Sequence, residues 1–445
     1  MSRAVLMMAA LAACLVCHAG AGQHARAPDV LVLTVDTLRY DHLSINGDPR
    51  PISPHLDGLL AQGLRFTQAR TVEPLTSPAI CSLFTSRQPH QHGSTRNGLR
   101  MQPGLSSMPR VLQAAGWRTA AFVSNWTLRD KLSGLGAHFS DYEELLTEKR
   151  WFGMVRGETS APGLTKAVLR WLDGQPPAEE RPPLMIWVHY SDPHAPYEMH
   201  EEYADALGIE SKGSTTPRDR YAMEVAFTDA AIGDLLQGLK DRGMDKDLIV
   251  LFAADHGESL GENDYWGHGK NLREAGLRIP MGLVWAGRIS PRVVEGSAQI
   301  TDLSPTVLAL LGLEIPREFE GYDWSEVAGG SDPPEGRTTY YQVHRGAVMT
   351  RHASQGARRS GLLEVAAIRE GRKEILSLTG PLTVFDLRLD PSELSPLEPT
   401  APASIGLMIW LKRVQAALTS EDAGATDTSL TEEELEKLRS LGYVD

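Results

Sequence analysis

The chain has 445 residues, of which 42% are hydrophobic and 23% charged, and a formal net charge of −13. That length allows one large domain plus an appendage, with a core held by burial alone. The acidic balance excludes nonspecific nucleic-acid binding, which needs a basic face, and otherwise reads as ordinary solubility.

Arg3 followed by the apolar run Ala4 to Val16 and by Ala19-Gly20-Ala21 predicts a signal peptide over residues 1–21. The expectation is an exported protein, periplasmic or extracellular. The run is shorter than the ~20 residues that span a bilayer. Leu11-Ala12-Ala13-Cys14 also fits a lipoprotein box, and a lipid on Cys14 would be the chain's membrane attachment. Of Cys14, Cys17 and Cys81, cleavage after Ala21 leaves Cys81 alone, so no internal disulfide is expected.

Asp29 to Val35 is an apolar run of strand length. Ser53-Pro54 opens a helix as N-cap and first-turn proline, and Gly63 closes it. Leu64 to Ala69 is the next strand. Met108 to Ala115 reads as a helix and Arg118 to Val123 as a strand; Thr165 to Leu172 as a helix and Leu184 to Tyr190 as a strand. The long helix Arg218 to Lys240 precedes the strand Leu248 to Phe252, and Met281 to Trp285 and the helix Pro305 to Leu311 complete the block. Such alternation predicts an α/β fold with a mostly parallel central sheet between helices. Ligands in that architecture sit at the carboxyl ends of strands.

Pro333, Pro334 and Gly336 mark a seam. Beyond it Leu362 to Arg369, Glu374 to Leu378 and Leu382 to Leu387 predict a small C-terminal antiparallel β subdomain. The expected division is 28–330, 338–400 and a helical tail over 401–445. The tail holds a helix from Ile405 to Leu418, a polar linker from Glu421 to Asp427, and a terminal helix from Thr431 to Leu441.

Three apolar runs end on ligand-type residues: Val35-Asp36-Thr37; His189-Tyr190-Ser191-Asp192-Pro193-His194; and Ala253-Ala254-Asp255-His256-Gly257-Glu258. Asp36, Asp192, His194, Asp255 and His256 are expected to converge on one sheet edge. Carboxylate and imidazole together suit a divalent metal. Thr76, in Thr76-Ser77-Pro78, stands at a helix start, with Ile80, Leu83 and Phe84 on the apolar face. Its side chain serves either as the helix N-cap or as a metal-activated nucleophile, seated where free amides favour a tetrahedral anion. Arg39, Arg87 and Arg96 could bind substrate anions but are read first as structural or solvated, and Tyr265 and Trp266 beside His268, either a pocket wall or packing, are given no role.

These segments resemble the sulfatase family of the alkaline phosphatase superfamily. The similarity runs through Val35-Asp36-Thr37-Leu38-Arg39, Thr76 to Gly93, His189 to Tyr197, and Asp255 to Pro280 with Gly267-His268-Gly269-Lys270, Glu274 and Arg278-Ile279-Pro280. Val384-Phe385-Asp386-Leu387 with Asp390-Pro391-Ser392-Glu393 is similar to the family's C-terminal segment. The resemblance implies an alkaline phosphatase-like fold and a metal site of Asp36, Thr76, Asp255 and His256. It implies Thr76 as nucleophile, with His194 or His268 binding the anion or protonating the leaving oxygen and Lys270 assisting. In metal-rich relatives a second ion sits at positions similar to Asp192, His194 and His268.

The departures carry information too. Typical sulfatases have Cys or Ser in Cys-x-Pro-x-Arg, oxidised to formylglycine; Thr76 cannot become that aldehyde, and Ile80 replaces the arginine. Cys81 is expected to be a small core residue. Thr37 stands where many have a second Asp, and His256 where many have Asn. The expected enzyme is therefore a metal-dependent hydrolase, or a transferase, of phosphate or phosphonate esters. The alternatives are a sulfuric ester hydrolase without formylglycine and a non-catalytic binding protein on the same fold. One or two divalent ions are expected, zinc or manganese ahead of calcium or magnesium. The substrate is a small-molecule, glycan or lipid ester, its specificity set by the loops Leu135 to Met154 and Glu198 to Arg218.

Overall fold

The computed structural model describes residues 26–146, 148–150, 155–210, 215–345 and 361–419. The signal segment, Cys14, Cys17, the linker after residue 420 and the predicted helix over 431–441 lie outside these residues.

The central sheet is built from β1 (Asp29–Val35), β2 (Leu64–Phe66), β3 (Arg118–Val123), β4 (Asp141–Glu144), β5 (Leu184–Tyr190), β6 (Leu248–Ala254), β7 (Met281–Trp285) and β8 (Arg292–Val294). Its order is β8-β2-β7-β6-β1-β5-β3-β4. β1, β3, β4, β5 and β6 pair in parallel, while β7 runs antiparallel to β2 and β6. Every residue of β1, β5 and β6 is buried. That explains their unbroken apolar runs, since an inner parallel strand has helices over both faces.

One face carries α1 (Pro54–Leu60), α4 (Ala161–Asp173) and α5 (Pro217–Asp241); the other carries α2 (Thr76–Thr85), α3 (Met108–Ala114) and α6 (Leu303–Leu310). Two capping expectations change. Ser53 makes no cap bond and donates to Asp57; the Asp229 carboxylate, from α5, accepts from His55 N and Leu56 N instead. Thr76 is the first helical residue and not the cap, and the Asn97 side chain accepts from Ser77 N in its place. A tertiary partner supplies the acceptor in both cases, which local sequence cannot reveal.

The predicted strand over 64–69 breaks at Thr67. Leu64–Phe66 joins the main sheet, while Ala69–Arg70 pairs with Ala298–Gln299. Beyond the seam four antiparallel strands run in order: β9 (Thr338–His344), β10 (Leu362–Arg369), β11 (Arg372–Ser377) and β12 (Leu382–Asp386). β9 was not expected. One face of this sheet packs Tyr341, Val343, Ile368 and Phe385 on Leu272 and Leu277 of the main body. The other packs Val365 and Ala367 against Leu407, Trp410 and Val414 of α7 (Ile405–Thr419). Cys81 is fully buried on α2, and burial pushes its thiol pKa up to about 12. No helix among the described residues is long and apolar enough to cross a membrane.

Candidate active site

Because β1, β3, β5 and β6 run in parallel, their carboxyl ends share one edge. The ladder continues past the strands: Asp36 N donates to Tyr190 O and Asp255 N to Val35 O. Asp36, Asp255 and His256 are thereby brought together, all fully buried, with ligand atoms within 4.8 Å of one another. His256 Nε2 lies 3.6 Å from Asp36 Oδ1, 3.6 Å from Asp255 Oδ2 and 3.4 Å from Thr76 Oγ1.

Each of the three has one end tied down. Asp255 Oδ1 accepts from Thr37 N and His256 N. Asp36 Oδ2 accepts from Asn125 Nδ2. His256 Nδ1 lies 2.9 Å from the Gly257 carbonyl, which can only accept, so Nδ1 carries the proton and Nε2 a lone pair. What remains is Asp36 Oδ1 and Asp255 Oδ2, both buried with no hydrogen-bond partner. Burial raises both carboxyl pKa values, that of Asp255 to about 7, and Asp255, Glu158 and Glu258 raise Asp36 further. Burial, aided by the charge of His268, holds His256 neutral. Two orphaned carboxylate oxygens, an imidazole lone pair and a hydroxyl make a donor set that fits a divalent cation. Tetrahedral bonds of about 2.0–2.2 Å give ligand separations of about 3.3–3.6 Å, which the His256 distances match. Thr37 turns the chain at φ 53, its carbonyl held by the Tyr221 hydroxyl. Gly257 is required because a Cβ there would stand 2.1 Å from Ala275 O.

His268 is brought in by a short antiparallel pairing of Ser259-Leu260 with Trp266-Gly267. Its ring lies 4.5 Å from that of His256 and 5.2 Å from that of His194. Burial opposes its charge, but Glu258 Oε1, 3.2 Å from Nδ1, outweighs burial and the pKa is raised. Lys270 is exposed two residues further on.

The second ion finds no comparable nest. Among the described residues, Asp36, Asp255 and His256 form the one cluster with metal-ligand spacing. Asp192, His194 and His268 do not form another. His268 is drawn to Glu258 and His194 Nδ1 bonds Ala195 O, while the Asp192 charge acts on His200.

Sequence reasoning missed Asn125, Glu258 as the partner of His268, and Asn97. Asn125 had a signal, because β3 also ends at this edge on a polar pair, Ser124-Asn125. Arg39 and Arg87 are structural, as expected: Arg39 pairs with Asp41 and Glu262, and Arg87 with Glu318. Arg96 is neither paired nor solvated, being 6% exposed with Nε and Nη2 unpartnered.

A model of the family described as Sulfatase matches residues 28–313. The ulvan-active sulfatase of Formosa agariphila is 27% identical over 344 residues, covering 70% of this chain and 66% of its own length. Arylsulfatase A of Homo sapiens is 25% identical over 471 residues, covering 90% of each chain. Among solved structures, the phosphonate monoester hydrolase of Agrobacterium radiobacter superposes with a TM-score of 0.70 at 20% identity, covering 91% of this chain and 98% of that one. A protein solved with its substrate D-glucosamine-2-N,6-O-disulfate gives 0.68 at 17%, covering 89% and 99%.

Proposed function

The chain belongs to the sulfatase family, and from that premise we propose that it hydrolyses sulfuric esters of a glycan or small molecule with Thr76 as nucleophile. One observation carries the reading: the Thr76 hydroxyl faces His256 Nε2 beside two buried carboxylate oxygens that have no other partner. The curated relatives are sulfatases, one of them ulvan-active, which moves the weight from the phosphate ester expected above to its sulfuric alternative.

Asp36, Asp255, His256 and Thr76 would hold the divalent ion, zinc or manganese by the imidazole in the set. When bound, the ion lowers the pKa of the hydroxyl it touches and offsets negative charge on the ester. Thr76 Oγ1 passes its proton to the neighbouring Asp255 carboxylate, which returns it at the end of the cycle, and attacks sulfur, forming a sulfo-threonine as the bond from sulfur to the leaving oxygen breaks. His268, kept protonated by Glu258, gives its proton to that oxygen. Neutral His268 then takes a proton from water, which attacks sulfur, releases sulfate and restores Thr76. The start of α2 offers the anion no row of free amides, because Asn97 accepts from Ser77 N, Pro78 has no N–H and Ala79 N bonds Leu75 O.

A second reading keeps the same residues for phosphate or phosphonate esters, and Thr76 itself favours it. A threonine ester has no geminal hydroxyl through which to collapse. Release needs attack at the central atom, which is easier at phosphorus than at sulfur. Metal-loaded protein assayed on aryl sulfates, phosphate mono- and diesters and phosphonates ranks the two. Absence of turnover on the whole panel, with metal bound, removes both.

A further inference from the structure

Arg96, Asn97 and His344 are nearly or fully buried, and each holds nitrogen atoms with no hydrogen-bond partner: Nε and Nη2 of Arg96, Nδ2 of Asn97 and Nε2 of His344. They come from different segments. Asn97 is anchored by Ser77 N beside the nucleophile. His344 ends β9, its Nδ1 held 3.0 Å from Glu73 Oε1. Glu73 lies three residues before Thr76, and its charge also acts on Arg96. Against Arg96 stands Gly361, where an added Cβ would sit 2.9 Å from Nη1; Gly361 O accepts from Arg345 N where β9 meets β10. Glu73 and Gly361 place Arg96 near the end of β9, and Asn97, next to it in the chain, reaches the start of α2.

A buried guanidinium with idle N–H groups is costly, and such a group calls for an acceptor that arrives from outside. Nε and Nη2 are the pair that forks onto two oxygens of one carboxylate or sulfate. The reacting ester must lie on Thr76 and the Asp36-Asp255-His256 cluster, whereas Arg96 is placed by Glu73 and Gly361.

We propose that Arg96, with Asn97, forms a second anion subsite that receives a carboxylate or sulfate borne by the substrate next to the ester being cleaved. The proposal rests on the hydrolase reading and narrows its substrates to polyanionic sugars, disulfated or uronic-acid-containing.

The test compares 4-nitrophenyl sulfate, which has one anionic group, with a sulfated glucuronide, which has two. In Arg96→Gln the ratio of kcat/KM for the glucuronide over the aryl ester falls about 30-fold, the range of a lost charge-assisted bond. Arg96→Lys, which keeps the charge and loses the fork, also lowers the ratio. Equilibrium binding of the sulfated glucuronide to Thr76→Ala protein falls by a similar factor when Arg96→Gln is added. That arm needs no turnover, so an inactive wild type would end the functional reading while the subsite is still decided. An unchanged ratio together with unchanged binding overturns the subsite. So does a drop of about 4 °C or more in the Tm of ligand-free Arg96→Gln, because removing an unsatisfied charge should not cost stability.

Discussion

Thr76 Oγ1 stands 3.4 Å from His256 Nε2, although 180 residues of chain separate the two. The contact follows from β6 ending at Asp255-His256 on the edge where α2 begins. It fixes the hydroxyl against a lone pair that has no other partner.

Thr76→Ala should therefore lower kcat on the best ester of the panel by about 10³-fold or more, the scale for loss of a nucleophile. Thr76→Ser should keep part of the rate. Metal content should remain, since Asp36, Asp255 and His256 are untouched. Alanine protein with near wild-type kcat would remove the nucleophile and leave the ligand cluster standing.

Asp36 and Asp255 share a fully buried site in which burial raises both carboxyl pKa values. Chelation should lower the Tm, because an ion bound only by the folded state stabilises it by mass action. Asp36→Asn should raise the Tm of metal-free protein and abolish the rise on adding metal. Scanning calorimetry with and without chelator measures both. A metal-induced rise that survives Asp36→Asn would exclude Asp36 as a ligand.

The strand ends were legible because an inner parallel strand needs an apolar run, and its first polar residues fall at the edge. Asp36, Asp255 and His256 were found that way, and Asn125 ends β3 by the same logic. β9 escaped because Thr338-Thr339-Tyr340-Tyr341-Gln342-Val343-His344 has no apolar run, and the buried Gln342 and His344 are satisfied by distant partners, His90 and Glu73. Asn97 escaped, and the anion-binding alternative for Arg96 ranked behind a structural one, because a loop side chain takes its meaning from what packs over it. Asp192 and His194 follow β5 at the same edge, where His194 Nδ1 bonds Ala195 O.

Glu274 joins the two sheets. It bonds Arg70 Nη2 at 2.8 Å and Lys373 Nζ at 2.8 Å, and Lys373 also pairs with Glu393 at 2.8 Å. Lys373 is fully buried. Burial works against the Glu274 carboxylate, but Arg70 and Lys373 hold its pKa far below the usual range. Lys373→Met leaves two buried carboxylates with one cation and should cost about 3–5 kcal/mol in urea unfolding. A loss under ~1 kcal/mol, the level of a surface pair, would mean the network does not clamp the sheets.

Acid should unfold the protein through its buried histidines. His92 Nδ1 accepts from Ser94 N at 3.2 Å, so its proton sits on Nε2, 2.8 Å from Ser82 Oγ. A second proton has no place to go. Burial lowers the pKa of His92 to about 3 and that of His189, which faces Thr34 Oγ1, to about 3. The unfolded chain binds these protons near pH 6.5, so the stability they contribute is complete above that pH. It is lost as pH falls from 6.5 toward 3, at about 1.4 kcal/mol per pH unit for each histidine. Urea unfolding between pH 7.5 and 5 should show this slope. His92→Asn should flatten it by roughly one histidine's share, about 1.4 kcal/mol per pH unit below pH 6. An unaltered slope in His92→Asn would mean that His92 titrates alike in the folded and unfolded chain, against the Ser94 hydrogen bond.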